Sequence, residues 1–166
     1  MAFLTDVPIV KQESLSLTTT VPEFSLGAKH SEGGNEYVYV YNGAANSKIL
    51  TGQPAVLQAS SSSLTSGYTV TVTNAASQVG FFAVVAQNTF ATGTYGFALV
   101  KGVGLIALDA SEVSMNAGDW LALGVDGGFV ARSPASLSTA YNLGVVLNSA
   151  VTTVGTGKGR IFGSVL

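Results

Sequence analysis

Six residues in the middle of the chain, Gly102-Val103-Gly104-Leu105-Ile106-Ala107, spell G-x-G-x-x-A. With that spacing, glycines let a backbone turn wrap a dinucleotide pyrophosphate at the start of a helix. The chemistry needs a strand before the glycines, a helix after them and an acidic residue about 20 positions further on. The strand is present in "YGFALV" (95–100). The helix is not: 108–118, "LDASEVSMNAG", holds no amphipathic run, and Asp126, at a suitable distance, forms a turn dipeptide with Gly127. The glycines are better read as a corner, Gly102-Val103-Gly104, joining two strands and allowing close packing.

The other chemistry-bearing residues fail similar tests. In "TVGTGKGRIFG" (153–163), a phosphate loop of the form G-x-x-x-x-G-K-S/T would need glycine where Thr152 stands and Ser or Thr where Gly159 follows Lys158. Lys158 and Arg160 therefore read as a solvated hairpin, with anion contact as the other reading. His30 is the only imidazole; no G-x-S-x-G elbow accompanies it, and with no cysteine a zinc site would have to be built almost wholly from carboxylates and water. Asp109, Glu112, Asp119 and Asp126 match no calcium loop, which leaves a stabilising cation or plain turn roles. As paired acids they could in principle hydrolyse glycosides, but nothing in their spacing selects a pair. Neither a catalytic residue nor a cofactor or metal is expected, and the protein is not read as an enzyme. Trp120, opening "WLALG", reads as core or inter-subunit packing sooner than as a ligand platform. Tyr37, Tyr39 and Tyr41 share one strand face with Val38 and Val40 opposite; which face is wet stays open, although tyrosine suits an interface.

The elements that must position these residues are strands. "YVYVY" (37–41), "YTVTVT" (68–73) and "DWLALGV" (119–125) alternate at period two, and no dozen residues sustain a helical stripe. Asn42-Gly43 and Asp126-Gly127 are hairpin dipeptides, and Gly33-Gly34, Ser66-Gly67 and Gly93 punctuate other strand ends. A faint repeat runs through the chain. "YVYVYNG", "LTGQPAVL", "SGYTVTV" and "VGFFAVV" are followed in the same order by "GFALVKG", "NAGDWLAL", "DGGFVAR" and "LGVVLNS", with Gly118 standing 66 residues after Gly52. The expected fold is all-β: a small barrel or sandwich of two related antiparallel units, residues 35–166 divided at about 92/93. Residues 1–34 read as an extended N-terminal arm ordered by contact with something else, or equally as a frayed terminus with an edge strand.

Composition narrows the class of function. Of 166 residues, 10% are charged and 47% hydrophobic, with net charge −2 and mean hydropathy +0.43; an average soluble domain has roughly 25% charged residues. So little charge points to surface covered by copies of the chain or by a partner. Apolar runs such as "VGFFAVVA" (79–86) fall far short of the roughly 20 residues of a membrane span. "MAFLTDVPIV" (1–10) lacks the basic start of a secretory signal, and the seven scattered Lys and Arg residues make no nucleic-acid footprint.

The succession "FSLGAKHSEGGNEYVYVYNGAANSKILTGQPAVL", "TYGFALVKGVGLIAL", "AGDWLALGVDGGFVA", "NLGVVLNSA" and "GKGRIFG", over roughly residues 24–163, resembles the small β-rich decoration, or cement, proteins of tailed-bacteriophage heads. The resemblance implies a structural virion protein, made in the host bacterial cytoplasm and sitting on the outer capsid surface. There it would act as a homotrimer at threefold or quasi-threefold positions, clamping neighbouring major capsid subunits. The arm's apolar residues Phe3, Leu4, Val7, Ile9, Leu15 and Leu17, with Trp120, are the expected contacts. The work would be mechanical: a protein that binds the assembled shell stabilises it by its differential affinity for that state. The other reading is a receptor- or carbohydrate-binding module of a tail or fibre, with Trp120 and the tyrosines as a sugar platform.

Overall fold

Glycine sets the first turn. The chain leaves β1 (Lys29–Glu32) and enters β2 (Asn35–Asn42) through Gly33-Gly34, with φ of 57° and 83° and Glu32 opposite Asn35. A two-residue hairpin with both φ positive needs residues without a Cβ penalty, and the double glycine supplies them. The computed structural model describes residues 15, 17–43, 47–57, 68–72, 83–112, 114–124, 127–132, 144–147, 151–152 and 156–162. After β2 come β3 (Pro54–Leu57), β4 (Thr69–Val72), β5 (Ala83–Val85), β6 (Tyr95–Ala107), β7 (Ser114–Met115), β8 (Trp120–Leu123), β9 (Phe129–Arg132), β10 (Gly144–Val146), β11 (Val151–Thr152) and β12 (Thr156–Ile161). The protein is all-β, as the alternation predicts.

The pairings close two rings of five strands. In the first the order is β2-β4-β3-β5-β6 and back to β2; every pair is antiparallel except β2–β4, which is parallel. In the second, the C-terminal half of β6 pairs with β12, then β10, β8 and β9 follow. A parallel bridge from Phe129 to Leu108, just past β6, closes that ring. The two circuits are the same. Moving 66 residues on from β2 and 61 from the first half of β6 converts Tyr39↔Phe97, Val40↔Gly96 and Tyr41↔Tyr95 into Leu105↔Lys158, Ile106↔Gly157 and Ala107↔Thr156. The bridge Ile49↔Phe90 likewise becomes Met115↔Val151.

Even the turns agree. Gln53 N–H donates to Leu50 O (3.0 Å) and Leu50 N–H to Gln53 Oε1 (2.7 Å); Asp119 N–H donates to Asn116 O (3.1 Å) and Asn116 N–H to Asp119 Oδ2 (2.7 Å). Gly52 and Gly118 hold the matching position at φ 83° and 92°.

β6 belongs to both rings, so the expected Gly102-Val103-Gly104 corner is in fact a change of partner within one continuous strand. Tyr95–Lys101 pair with β2 and Gly102–Ala107 with β12. The switch falls at a bulge, where Glu36 opposes Lys101 but Tyr37 opposes Leu99, and at Gly102, whose φ of 120° suits glycine. A Cβ there would also collide with the Asn35 side chain.

Each ring has its own core, filled differently. The first contains Val38, Val40, Ile49, Ala55, Val70, Val84 and Ala98, all 1% exposed. At the positions equivalent to Val38, Val84 and Ala98 the second has Gly104, Gly144 and Gly159, while Ala55 becomes Leu121 and Val70 becomes Phe129. Large side chains occupy the space that the glycines leave: a Cβ on Gly159 would lie 2.8 Å from Ile106 Cγ2 and 3.0 Å from Leu121 Cδ1.

Candidate functional site

The two rings meet along one edge of β6. The backbone groups of Val103, Leu105 and Ala107 face away from β12, since polar groups alternate along a strand. Two side chains stand in for the missing neighbour strand. The Asn35 carboxamide accepts from Val103 N–H (2.8 Å) and donates to Val103 O (3.0 Å); that of Gln87 accepts from Leu105 N–H (2.8 Å) and donates to Leu105 O (3.2 Å). Ala107 N–H donates to Gly52 O (2.8 Å). Beside them Tyr37, Val85 and Leu99, on the outside of the first ring, pack into the second core, with Leu99 Cδ2 2.6 Å from where Gly104 would carry a Cβ.

On the first ring the equivalent edge is covered by the N-terminal segment. His30 lies opposite Tyr37, Tyr39 N–H donates to Ala28 O (2.8 Å), and Gly27 N–H donates to Tyr39 O (2.9 Å). Upstream, Thr19 and Tyr95 exchange two backbone bonds (2.9 and 2.7 Å) and Glu23 N–H donates to the Tyr39 hydroxyl (3.1 Å). Phe24 packs on Tyr39 and Phe97 with ring centroids 5.3 and 5.2 Å apart. The question left open by "YVYVY" is thereby answered. Val38 and Val40 face the core; Tyr39 is buried under residues 17–28, Tyr37 packs toward the second ring, and Tyr41 stacks on Tyr95 at 4.5 Å. Residues 17–32 thus act as a cap.

Among the described residues, none covers the outer face of the second ring in this way. The six first-ring residues at the junction, Asn35, Tyr37, Gly52, Val85, Gln87 and Leu99, correspond to Lys101, Val103, Gly118, Val145, Leu147 and Arg160. Of these, Lys101, Gly118 and Arg160 are exposed, Val103 and Leu147 are 36% and 44% exposed, and Val145 is half-buried. A Cβ on Gly52 would strike the backbone of Ala107 at 2.8 Å, whereas one on Gly118 would meet nothing within 4 Å. Phe162 extends the face at 45% exposed, its ring edge-on to half-buried Trp120 at 6.0 Å. This apolar face, edged by Lys158 and Arg160, is the candidate site.

The other expected contact residues are dispersed. Phe3, Leu4, Val7 and Ile9 lie outside the described residues. Leu15 is half-buried, its carbonyl accepting from Asn88 Nδ2 (2.7 Å), and Leu17 is 56% exposed. Trp120 pairs across to Val145 and Arg132 at the face just described.

The described candidates for chemistry take the following places in the fold. Asp109 is fully buried, and its Oδ1 accepts from Ser111 N–H (3.0 Å) and Oγ (2.6 Å); a Cβ on Gly124 would collide with it. Asp119 closes its turn. Asp126 lies outside the described residues. His30 rests against Tyr37 and Phe97, its Nε2 3.8 Å from Glu32 Oε2. Asn42 is no hairpin residue: it is buried at the end of β2, where its amide donates to the carbonyls of Ser47, Phe90 and Ala91. Among the described residues no three His, Asp or Glu side chains converge to hold a metal ion.

Sequence reasoning missed Asn35, Gln87, Leu147 and Phe162. The two amides carry no local signal, because their partners lie 68 and 18 residues away. Phe162 was findable, since it continues the outward alternation of Lys158 and Arg160. No protein-family model matches the chain, and no curated protein matches it.

Proposed function

We propose that this is a structural virion protein that decorates the outer surface of a phage capsid, clamping neighbouring major capsid subunits as a homotrimer. The observation that carries the reading is the kind of surface on offer. An all-β body with 10% charged residues exposes large apolar side chains at Leu17, Val21, Val103, Leu147 and Phe162. Val103, Leu147 and Phe162 lie on one face of the second ring, and apolar surface gathered in this way marks association sites. Binding through apolar burial and backbone pairing is little screened by salt, which suits a cement that must hold in varied media. The N-terminal segment supports the same reading, because it already binds a β surface by strand-like pairing and one aromatic anchor.

Electron microscopy of heads assembled with and without the protein tests this. The expected result is removable density at threefold positions; heads of its own phage that never take up the purified protein would refute it. In that case, saturable binding on a glycan array, abolished by Trp120→Ala, would favour the sugar-binding alternative.

A further inference from the structure

We infer that the exposed outer face of the second ring is a contact between copies of this chain, occupied head to tail by residues 17–23 of the next copy. The internal repeat identifies the face as one built for contact. In the first ring Gly52, Val85 and Leu99 are buried and Asn35, Tyr37 and Gln87 half-buried against the second ring, while in the second ring Lys101, Val103, Gly118, Leu147 and Arg160 are exposed and Val145 is half-buried. The occupant cannot be another ring edge docked in the same way. Asn35 and Gln87, which satisfy an open strand edge, are replaced by Lys101 and Leu147, neither of which can both donate to and accept from a peptide group.

Charge decides among the rest. Arg160 is exposed on β12, and β8 and β10 carry no charged residue, so two such faces meeting about a twofold axis would oppose guanidinium to guanidinium. The cap on the first ring is the complement. It exposes Leu17 (56%) and Val21 (69%), and the next charged residue is Glu23, also exposed. Leu17 and Val21 supply apolar surface for Leu147, Val103 and Phe162, and Glu23 a carboxylate for Arg160. Such a contact uses two different patches, so it propagates from copy to copy, closing into a ring or running on as a filament according to its rotation. It does not rest on the capsid reading: it is a property of the purified chain.

The chain has no cysteine, which permits a directed test. Full-length Val21→Cys and Leu147→Cys proteins are mixed and oxidised, with Ser31→Cys, on the β1 hairpin, as a control. Mixed cross-links between the Val21→Cys and Leu147→Cys copies, well above either homodimer and above the control, are expected. Like-with-like cross-links, or none above control, overturn the proposal.

Sedimentation supplies the second arm. Arg160→Glu or Glu23→Arg alone should weaken self-association by about tenfold, and the double exchange should restore it; failure of both single changes to alter the mass distribution overturns the assignment. Circular dichroism of each variant confirms that it is folded. Association with these signatures but no binding to heads would refute the capsid reading and leave this one standing.

Discussion

If the two rings are equivalent, the glycine at 159 and the leucine at 121 divide a volume that Ala98 and Ala55 share in the first ring. Gly159→Ala alone puts a methyl 2.8 Å from Ile106 Cγ2 and 3.0 Å from Leu121 Cδ1. Overpacking of this kind costs about 1–3 kcal/mol, offset by roughly 0.5–1 kcal/mol because alanine loses less backbone entropy than glycine in a strand. Leu121 is fully buried, so Leu121→Ala alone costs about 2–5 kcal/mol. In the double variant the new methyl fills part of the space left by leucine, and Ile106 can shift into the remainder. The pair then copies Ala55 and Ala98. The double variant should therefore be more stable than the sum of the single changes by about 1–2 kcal/mol, as expected for residues in direct contact. Urea unfolding of the four proteins, with m unchanged, measures this. Gly159→Ala combined with Val70→Ala, which lies in the other core, is the control and should be additive. Additivity in the Gly159/Leu121 cycle as well would mean that the two sites do not compete for one volume, and the equivalence of the cores would be wrong.

Gln87→Glu keeps the acceptor for Leu105 N–H but loses the donor to Leu105 O, and Asn35→Ala removes both bonds to Val103. Gln87→Glu should cost about 1–3 kcal/mol and Asn35→Ala, whose bonds are exposed, about 0.5–1.5 kcal/mol, and Asn35→Ala should speed hydrogen exchange at the Val103 amide; unchanged exchange there would refute the strand-substitute role. Gly52→Ala should destabilise more than Gly118→Ala by about 2 kcal/mol or more. Both pay the positive-φ penalty of about 1–2 kcal/mol, but only the first meets backbone; equal urea midpoints would contradict this. Phe24→Ala should release residues 17–28 to limited proteolysis while the rings stay folded, and uniform resistance would show that the ring stack does not hold the cap.

Much of the architecture was legible in residue pattern because it depends on local causes. Period-two alternation in "YVYVY" requires a strand whichever way it faces, and Gly33-Gly34 can hardly be anything but a tight turn. The order of "LTGQP" and "NAGDW" exposed the repeat because a turn needing glycine at positive φ, closed by the residue after it, constrains sequence in both copies. Other features were illegible for an equally physical reason. That β6 continues through Gly102 and Gly104 depends on β2 and β12 pairing with its two halves, partners separated by more than 100 residues in sequence. Asn42-Gly43 looks like a hairpin, but burial of the Asn42 amide against three carbonyls, two of them distant in sequence, makes it an anchor. Nothing near Asn35 or Gln87 announces that their amides will replace a strand.

By itself the sequence determined that the chain is β, that it turns at particular glycines, that it repeats, and that only 10% of its residues are charged. Each of these follows from the chemistry of neighbouring residues. Only the tertiary structure decided that the repeat forms two rings sharing one strand, that the tyrosine face is capped, and that Val103, Leu147 and Phe162 are exposed on the matching face of the second ring. Those facts turn on which distant segment reaches an edge first, and that choice is made by packing across the whole chain.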